Sequence, residues 1–155
     1  MLPDLDPNAL RRIAEFLIDT SDPWWVLGST AMALIGVDPG EIRDVDLLVS
    51  ERDAQTLMRK HDLENQADGG TRGFRSSHIL KPNLIDRPVE ILSGYQIYQD
   101  GAWVLVEPSS RLSVRVGAST VFVPDREEQI SLLQRLGRPK DLARLALFER
   151  SASSS

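Results

Sequence analysis

The chain has 155 residues, 41% of them hydrophobic and 26% charged, which is a globular composition long enough for one core of useful size. It contains no cysteine and only two histidines, His61 and His78. That excludes disulfides, thiolate metal sites, a cysteine nucleophile and a histidine-rich metal centre, so any metal should be a hard cation on carboxylates. A net charge of −5 lacks the basic footprint of a dedicated nucleic-acid binder and leaves room only for a local basic strip.

The opening MLPDLDPNALRR is polar and acidic, with no feature of a secretory signal. Asp6-Pro7 is a helix start, Asp as N-cap and Pro at the first helical position. Leu10, Ile13, Ala14, Leu17 and Ile18 then form one face at helical spacing, and Ser21-Asp22-Pro23 ends it. Trp24 to Leu27 predicts a strand, and Ser29 to Ile35 a short buried helix closed by Gly36. The longest mostly apolar stretch, Trp24 to Val37, is too short for a membrane span of about 20 residues. A soluble cytoplasmic protein is expected. Asp38-Pro39-Gly40 is a turn, Val45 to Val49 a second strand, and Asp53 to Lys60 a helix.

Glycines at 69, 70 and 73 mark a flexible turn. Phe74 to Leu80, Val89 to Leu92 and Trp103 to Val106 read as strands. Leu112 to Val116 and Thr120 to Val123 flank Gly117-Ala118-Ser119 as a hairpin. Asp125 and Glu128 form a capping box before Ile130, Leu132, Leu133 and Leu136, with Gly137 ending that helix. Arg138-Pro139 opens a last helix through Phe148. The order predicts an α/β (α+β) domain over residues 1–150, a mixed β-sheet with helices packed on it. Residues 151–155, from Ser151, are expected to be a disordered tail.

The chemistry is concentrated in Gly28-Ser29 followed, after 14 intervening residues, by Asp44-Val45-Asp46. Carboxylates at i and i+2 of a strand point to one side of the sheet and repel each other, which a divalent cation relieves. Mg²⁺ favours one or two carboxylates plus substrate phosphates over a full protein cage. Gly28 and Ser29, at a strand-to-helix turn, offer close backbone approach, a hydroxyl and free amides for phosphate. Taken singly, a D-x-D pair is usually a turn cap beside a solvated strand residue, and Gly-Ser usually only a turn.

In combination, VLGSTAMALIGVDPGEIRDVDLLV resembles the signature of the DNA polymerase beta nucleotidyltransferase superfamily. The resemblance implies a nucleotidyltransferase-like fold in which Asp44 and Asp46 bind Mg²⁺ and a third carboxylate on a neighbouring strand completes a site for one or two metals. Glu90, between Val89 and Ile91, fits that third position, and Asp86 is a weaker competitor. Arg138-Pro139-Lys140-Asp141-Leu142 resembles a helix start of the AbiEii-type nucleotidyltransferases and their stand-alone relatives, implying that Lys140 reaches nucleotide phosphate and Asp141 supports the site.

The implied activity is transfer of a nucleotide monophosphate from an NTP, ATP foremost, to a hydroxyl of a protein or RNA acceptor. The alternative is an inactive module of the same fold that binds nucleotide or a protein partner, antitoxin-like or regulatory; a plain interaction domain is a third reading. Trp24, Trp25 and Trp103 are core or interface aromatics before they are base-stacking ones. Arg72, Arg75 and Lys81, near Ser76, Ser77 and His78, suit either a solvated loop or a phosphate contact. His78 lacks partners for a triad, and no P-loop or G-x-G-x-x-G occurs. Oligomeric state is left open.

Overall fold

The computed structural model describes residues 4–70 and 73–153. Helix α1 (Pro7–Phe16) begins where the sequence requires: the Asp6 carboxylate accepts from the Asn8 amide at 2.8 Å. Strand β1 (Trp25–Leu27) runs directly into α2 (Gly28–Leu34). After the turn come β2 (Val45–Leu48) and α3 (Glu51–His61), whose N-cap is Ser50.

The predicted strand from Phe74 to Leu80 is in fact two, β3 (Phe74–Arg75) and β4 (His78–Leu80), which join different sheets. The chain bends at Ser76-Ser77, where the Ser77 amide donates to the Ser93 carbonyl and redirects the backbone. Next come β5 (Val89–Ser93) and β6 (Gln96–Gln99). The latter was not expected, because Gln96 and Gln99 hide its alternation. It pairs with β7 (Ala102–Leu105). The hairpin β8 (Leu112–Val116) and β9 (Ser119–Val123) forms as predicted.

Helix α4 (Arg126–Leu136) is capped by Asp125, which accepts from the Glu128 amide, and ends at Gly137 with φ +62. The capping box is only half made. The Glu128 carboxylate instead clamps the amides and hydroxyls of Ser109 and Ser110, and the Asp125 amide turns to the Ser110 hydroxyl. Helix α5 (Pro139–Ser153) continues three residues into the serine-rich end expected as tail; Ser154 and Ser155 lie outside the described residues.

The expected mixed α/β architecture is present, with two smaller sheets beside the main one. The main sheet has order β1-β2-β5-β4, with β2 and β5 parallel and the outer pairs antiparallel. Strand alternation divides its two faces. Val45, Leu47, Val89 and Ile91 point into the main core, against Leu10 and Ile13 of α1, Leu57 of α3 and Val121 and Val123 of β9. Each fully buried aliphatic side chain stabilises by roughly 1.5–3 kcal/mol. The opposite face carries Asp46, Glu90 and Leu92. Helices α4 and α5 stand across from it, joined to α2 through a second cluster of Met32, Val37, Leu133 and Phe148.

Among the described residues no helix is long and apolar enough to cross a membrane.

Candidate active site

Between that sheet face and the two C-terminal helices lies a cavity of about 280 Å³. Its lining includes Gly28 and Ser29, Asp44, Asp46 and Glu90, and Lys140 and Asp141, so all seven residues singled out in the sequence meet in one hollow.

Asp46 is central. It sits on β2 between two neighbours, in register with Leu27 of β1 and with Glu90 of β5. Adjacent strands lie roughly 4.8 Å apart, so the Asp46 and Glu90 side chains leave the sheet side by side. Asp44 precedes the strand and is exposed, yet it also lines the hollow. Burial, then the negative charges of Asp44 and Glu90, push the Asp46 carboxyl up to about 7, against a weaker opposing pull from Lys140 and Arg144. One Asp46 oxygen, Oδ1, is buried without a hydrogen-bond partner. A carboxylate placed among like charges with an unmatched oxygen is costly unless something binds it.

Gly28 faces it. The residue adopts φ +68, a conformation glycine tolerates, and a Cβ there would stand 3.5 Å from Asp46 Oδ2. Ser29 is buried beside it, and Leu27, the cap of α2, brings no side-chain acceptor for the helix's first amides.

Of the two candidates for the third carboxylate, Glu90 lines the cavity, whereas Asp86 is exposed and paired with Arg87 at 3.1 Å. Glu90 is not unpartnered: Lys81 Nζ approaches its Oε1 at 3.7 Å. Among the described residues, no three carboxylate or histidine side chains form a preassembled metal cage.

Asp141 acts at the start of α5. It is fully buried, and its two oxygens accept from Arg138: Oδ2 from Nε at 2.6 Å and from the backbone amide at 3.1 Å, Oδ1 from Nη2 at 3.1 Å. It fixes the first turn of α5 and aims Arg138, whose guanidinium also lies 5.2 Å over the Phe74 ring. Lys140 is exposed and remains available to an anion.

Four further lining residues were missed in the sequence. Arg144 lies one turn beyond Lys140 on α5, at the i+4 spacing that places two side chains on one helix face; that spacing was the available signal. Gln129 of α4 and the aromatic pair Phe74 and Tyr95, with ring centroids 6.5 Å apart, had no local signal. Burial pushes the Tyr95 phenol up, against a weaker pull from Arg138.

The tryptophans take no part in the lining. Trp24 is buried against Phe122, Trp25 donates to the Ser110 carbonyl, and Trp103 lies under Arg75. Arg75 lines the hollow but is tied to Gln96 at 2.6 Å, and His78 is bonded to Ser93. Arg72 lies outside the described residues.

No family model matches the sequence, and no curated protein matches it. Solved structures do. A provisionally assigned nucleotidyltransferase from Thermotoga maritima superposes with TM-score 0.72 at 23% identity, over 93% of this chain and 92% of that one. The antibiotic-resistance factor ANT(2'')-Ia, solved in complex with adenylyl-2''-tobramycin, gives 0.58 at 14%, over 94% and 88%. An antigenic nucleotidyltransferase-like protein from Paracoccidioides brasiliensis gives 0.54 at 16%, over 92% and 74%. At these identities the likeness is one of fold: the chain has the nucleotidyltransferase fold.

Proposed function

We propose that this protein transfers a nucleotide monophosphate from a nucleoside triphosphate to a hydroxyl acceptor, with Mg²⁺ as cofactor. The observation that carries the reading is the meeting of Asp46, with its unmatched buried oxygen, Asp44 and Glu90 at a cavity that also holds Gly28-Ser29 and the cations of α5. The shared fold with ANT(2'')-Ia, a protein solved with an adenylylated tobramycin, supports it.

The donor set fits a hard divalent cation that arrives with its phosphates. Asp44 and Asp46 would hold it, with Glu90 adjacent, and the unmatched Asp46 Oδ1 and the mutual repulsion are what such a cation relieves. When bound, it supplies charge neutralisation to the attacking oxygen and to the pyrophosphate leaving group.

The chain's own residues do the rest. Gly28 and Ser29 leave room for the triphosphate against Asp46. Lys140 and Arg144 offset its charge, and Arg138, held rigid by Asp141, fixes the edge of the hollow. Glu90 or Asp46 takes the proton of the attacking hydroxyl. The acceptor is a protein or an RNA, and ATP the foremost donor. The closer kinship with AbiEii-type enzymes rests on the segment from Arg138 to Leu142.

A second reading, nucleotide binding without turnover, draws on the tie between Glu90 and Lys81 and on the lack of a preassembled three-acid cage among the described residues. Incubation with labelled ATP, GTP, CTP and UTP, with and without Mg²⁺, separates the two. Mg²⁺-dependent label transfer or pyrophosphate release is expected, and Asp44→Asn/Asp46→Asn should lower it by about 10³-fold or more, on the scale of losing a principal electrostatic stabiliser. Transfer that survives in that double variant rejects these roles. Nucleotide binding with no pyrophosphate release favours the second reading.

A further inference from the structure

The outer edge of β7 is open. In the sheet β3-β6-β7 this strand has one neighbour, and β6 is the element packed along it. Gln96 stands opposite Leu105 and Gln99 opposite Ala102, and the Val106 amide donates to the Tyr95 carbonyl. In an antiparallel pair that parity fixes which backbone groups face where. Ala102, Val104 and Val106 turn theirs to β6. Trp103 and Leu105 turn theirs outward, where among the described residues neither the N–H nor the C=O of either residue has a partner.

Edge strands of monomeric proteins are usually short, charged, bulged or interrupted by proline. The other edges of the two larger sheets, β1, β3 and β4, are two or three residues long. β7 has four residues, Ala102-Trp103-Val104-Leu105, with neither charge nor proline. Val104 is 38% exposed and Leu105 50%, and Tyr98 beside them on β6 53%. Free backbone groups along an apolar strand are matched by another strand rather than by a helix or a small molecule.

Which strand fits depends on what would stand opposite. Laid antiparallel to itself about a two-fold axis at Val104, β7 sets Trp103 of each copy against Leu105 of the other. The outward residues then meet as hydrogen-bonded pairs, and every free backbone group on the edge is matched. On one face Trp103 packs on Leu105 of the second copy, next to Tyr98; on the other, Val104 meets Val104. The acids at the strand ends avoid each other, Asp100 coming opposite Pro108 and Glu107 opposite Gly101. Sliding the strands by two residues sets Trp103 against Glu107 in one direction and Leu105 against the turn residue Gly101 in the other.

We propose that β7 is a self-association surface, at which two copies join edge to edge into one sheet of order β3-β6-β7-β7-β6-β3. Phe74 and Arg75, in the wall of the hollow, belong to the strand farthest from the junction.

Sedimentation from about 1 μM to 1 mM should show monomer passing to dimer. Val104 faces its own copy on the axis, so Val104→Lys and Val104→Glu each put like charges directly opposite one another. Each should weaken association by about 10-fold or more, and an equimolar mixture of the two should recover it, which only this register allows. Should either variant fail to fold, hydrogen exchange of the wild type decides. The Trp103 and Leu105 amides should gain protection as concentration rises, while the Val104 amide, already turned to β6, should not change. A dimer that both variants keep, a mixture that stays monomeric, or exchange at Trp103 and Leu105 that is independent of concentration overturns the assignment. A monomer over the whole range also overturns it, and leaves the edge to a strand of another protein.

Discussion

Two aspartates seven residues apart are treated in opposite ways by this molecule. Asp53, in the first turn of α3, is 3% exposed, and its two oxygens accept from the Ser21 and Asp22 amides at 2.8 and 2.9 Å. The arrangement is reciprocal, since Ser50 and Arg52 of the same helix start bond to the Asp22 carboxylate and hold it down at about 2. That corner closes on itself and needs nothing from outside. Asp46 keeps an unmatched buried oxygen, faces two like charges, and is opposed by cations it does not touch. One carboxylate is a fastener; the other is shaped for something that is absent from the chain. What separates them is the matching of their oxygens.

The contrast can be broken first at the fastener. Asp53→Ala should destabilise the fold by about 3 kcal/mol, because the Ser21 and Asp22 amides lose a charged acceptor inside the protein. Chemical denaturation measures it. A loss under about 0.5 kcal/mol would mean that the corner is not what joins α1 to α3.

Asp46→Asn should do the reverse. The wild-type group titrates near 7 in the folded protein and at its ordinary 3.8 when unfolded, so between those values the folded state holds the extra proton. Wild-type stability should therefore fall as pH rises through that window, with the penalty complete above 7. The Asn variant should gain on wild type over the same range, from near zero at pH 4 to on the order of 4 kcal/mol at pH 8, read from melting against pH. Adding Mg²⁺ and nucleotide should narrow the gap by stabilising the wild type alone. Parallel melting curves for the two proteins at all pH values would contradict the picture of an uncompensated charge.

The smallest effects belong to the cations opposite. Lys140→Ala and Arg144→Ala should each weaken triphosphate binding by about 10-fold, or 1.4 kcal/mol, with little change in melting, since neither is part of a packed network. If neither substitution alters affinity, the phosphates lie elsewhere in the cavity.

How much of this was legible beforehand varies with the range of the interaction. Asp6-Pro7, Gly137 and the strand around Glu90 announced themselves because caps, glycine conformations and two-residue alternation act over a few residues. The split of the expected strand at Ser76-Ser77 did not, since the force that bends the chain there is a bond to Ser93 sixteen residues on. Glu128 illustrates the same limit: its spacing suits a local capping box, but Ser109 and Ser110 compete for its carboxylate and win.

The site divides along the same line. Gly28, Ser29, Asp44, Asp46 and Glu90 were named from residue type and spacing, because paired acids and small residues carry their chemistry in their identity. The tie of Asp141 to Arg138 is local, three residues apart, whereas the joining of Gln129 and Arg144 to the wall depended on α4 and α5 standing across from the sheet. Sequence by itself determined which groups could bind a cation and phosphates, and where the capped helices α1 and α4 begin. Only tertiary packing decided which of those groups are left unmatched, because a polar atom's satisfaction depends on partners brought from distant parts of the chain, and it is that unmatched remainder from which a ligand is inferred.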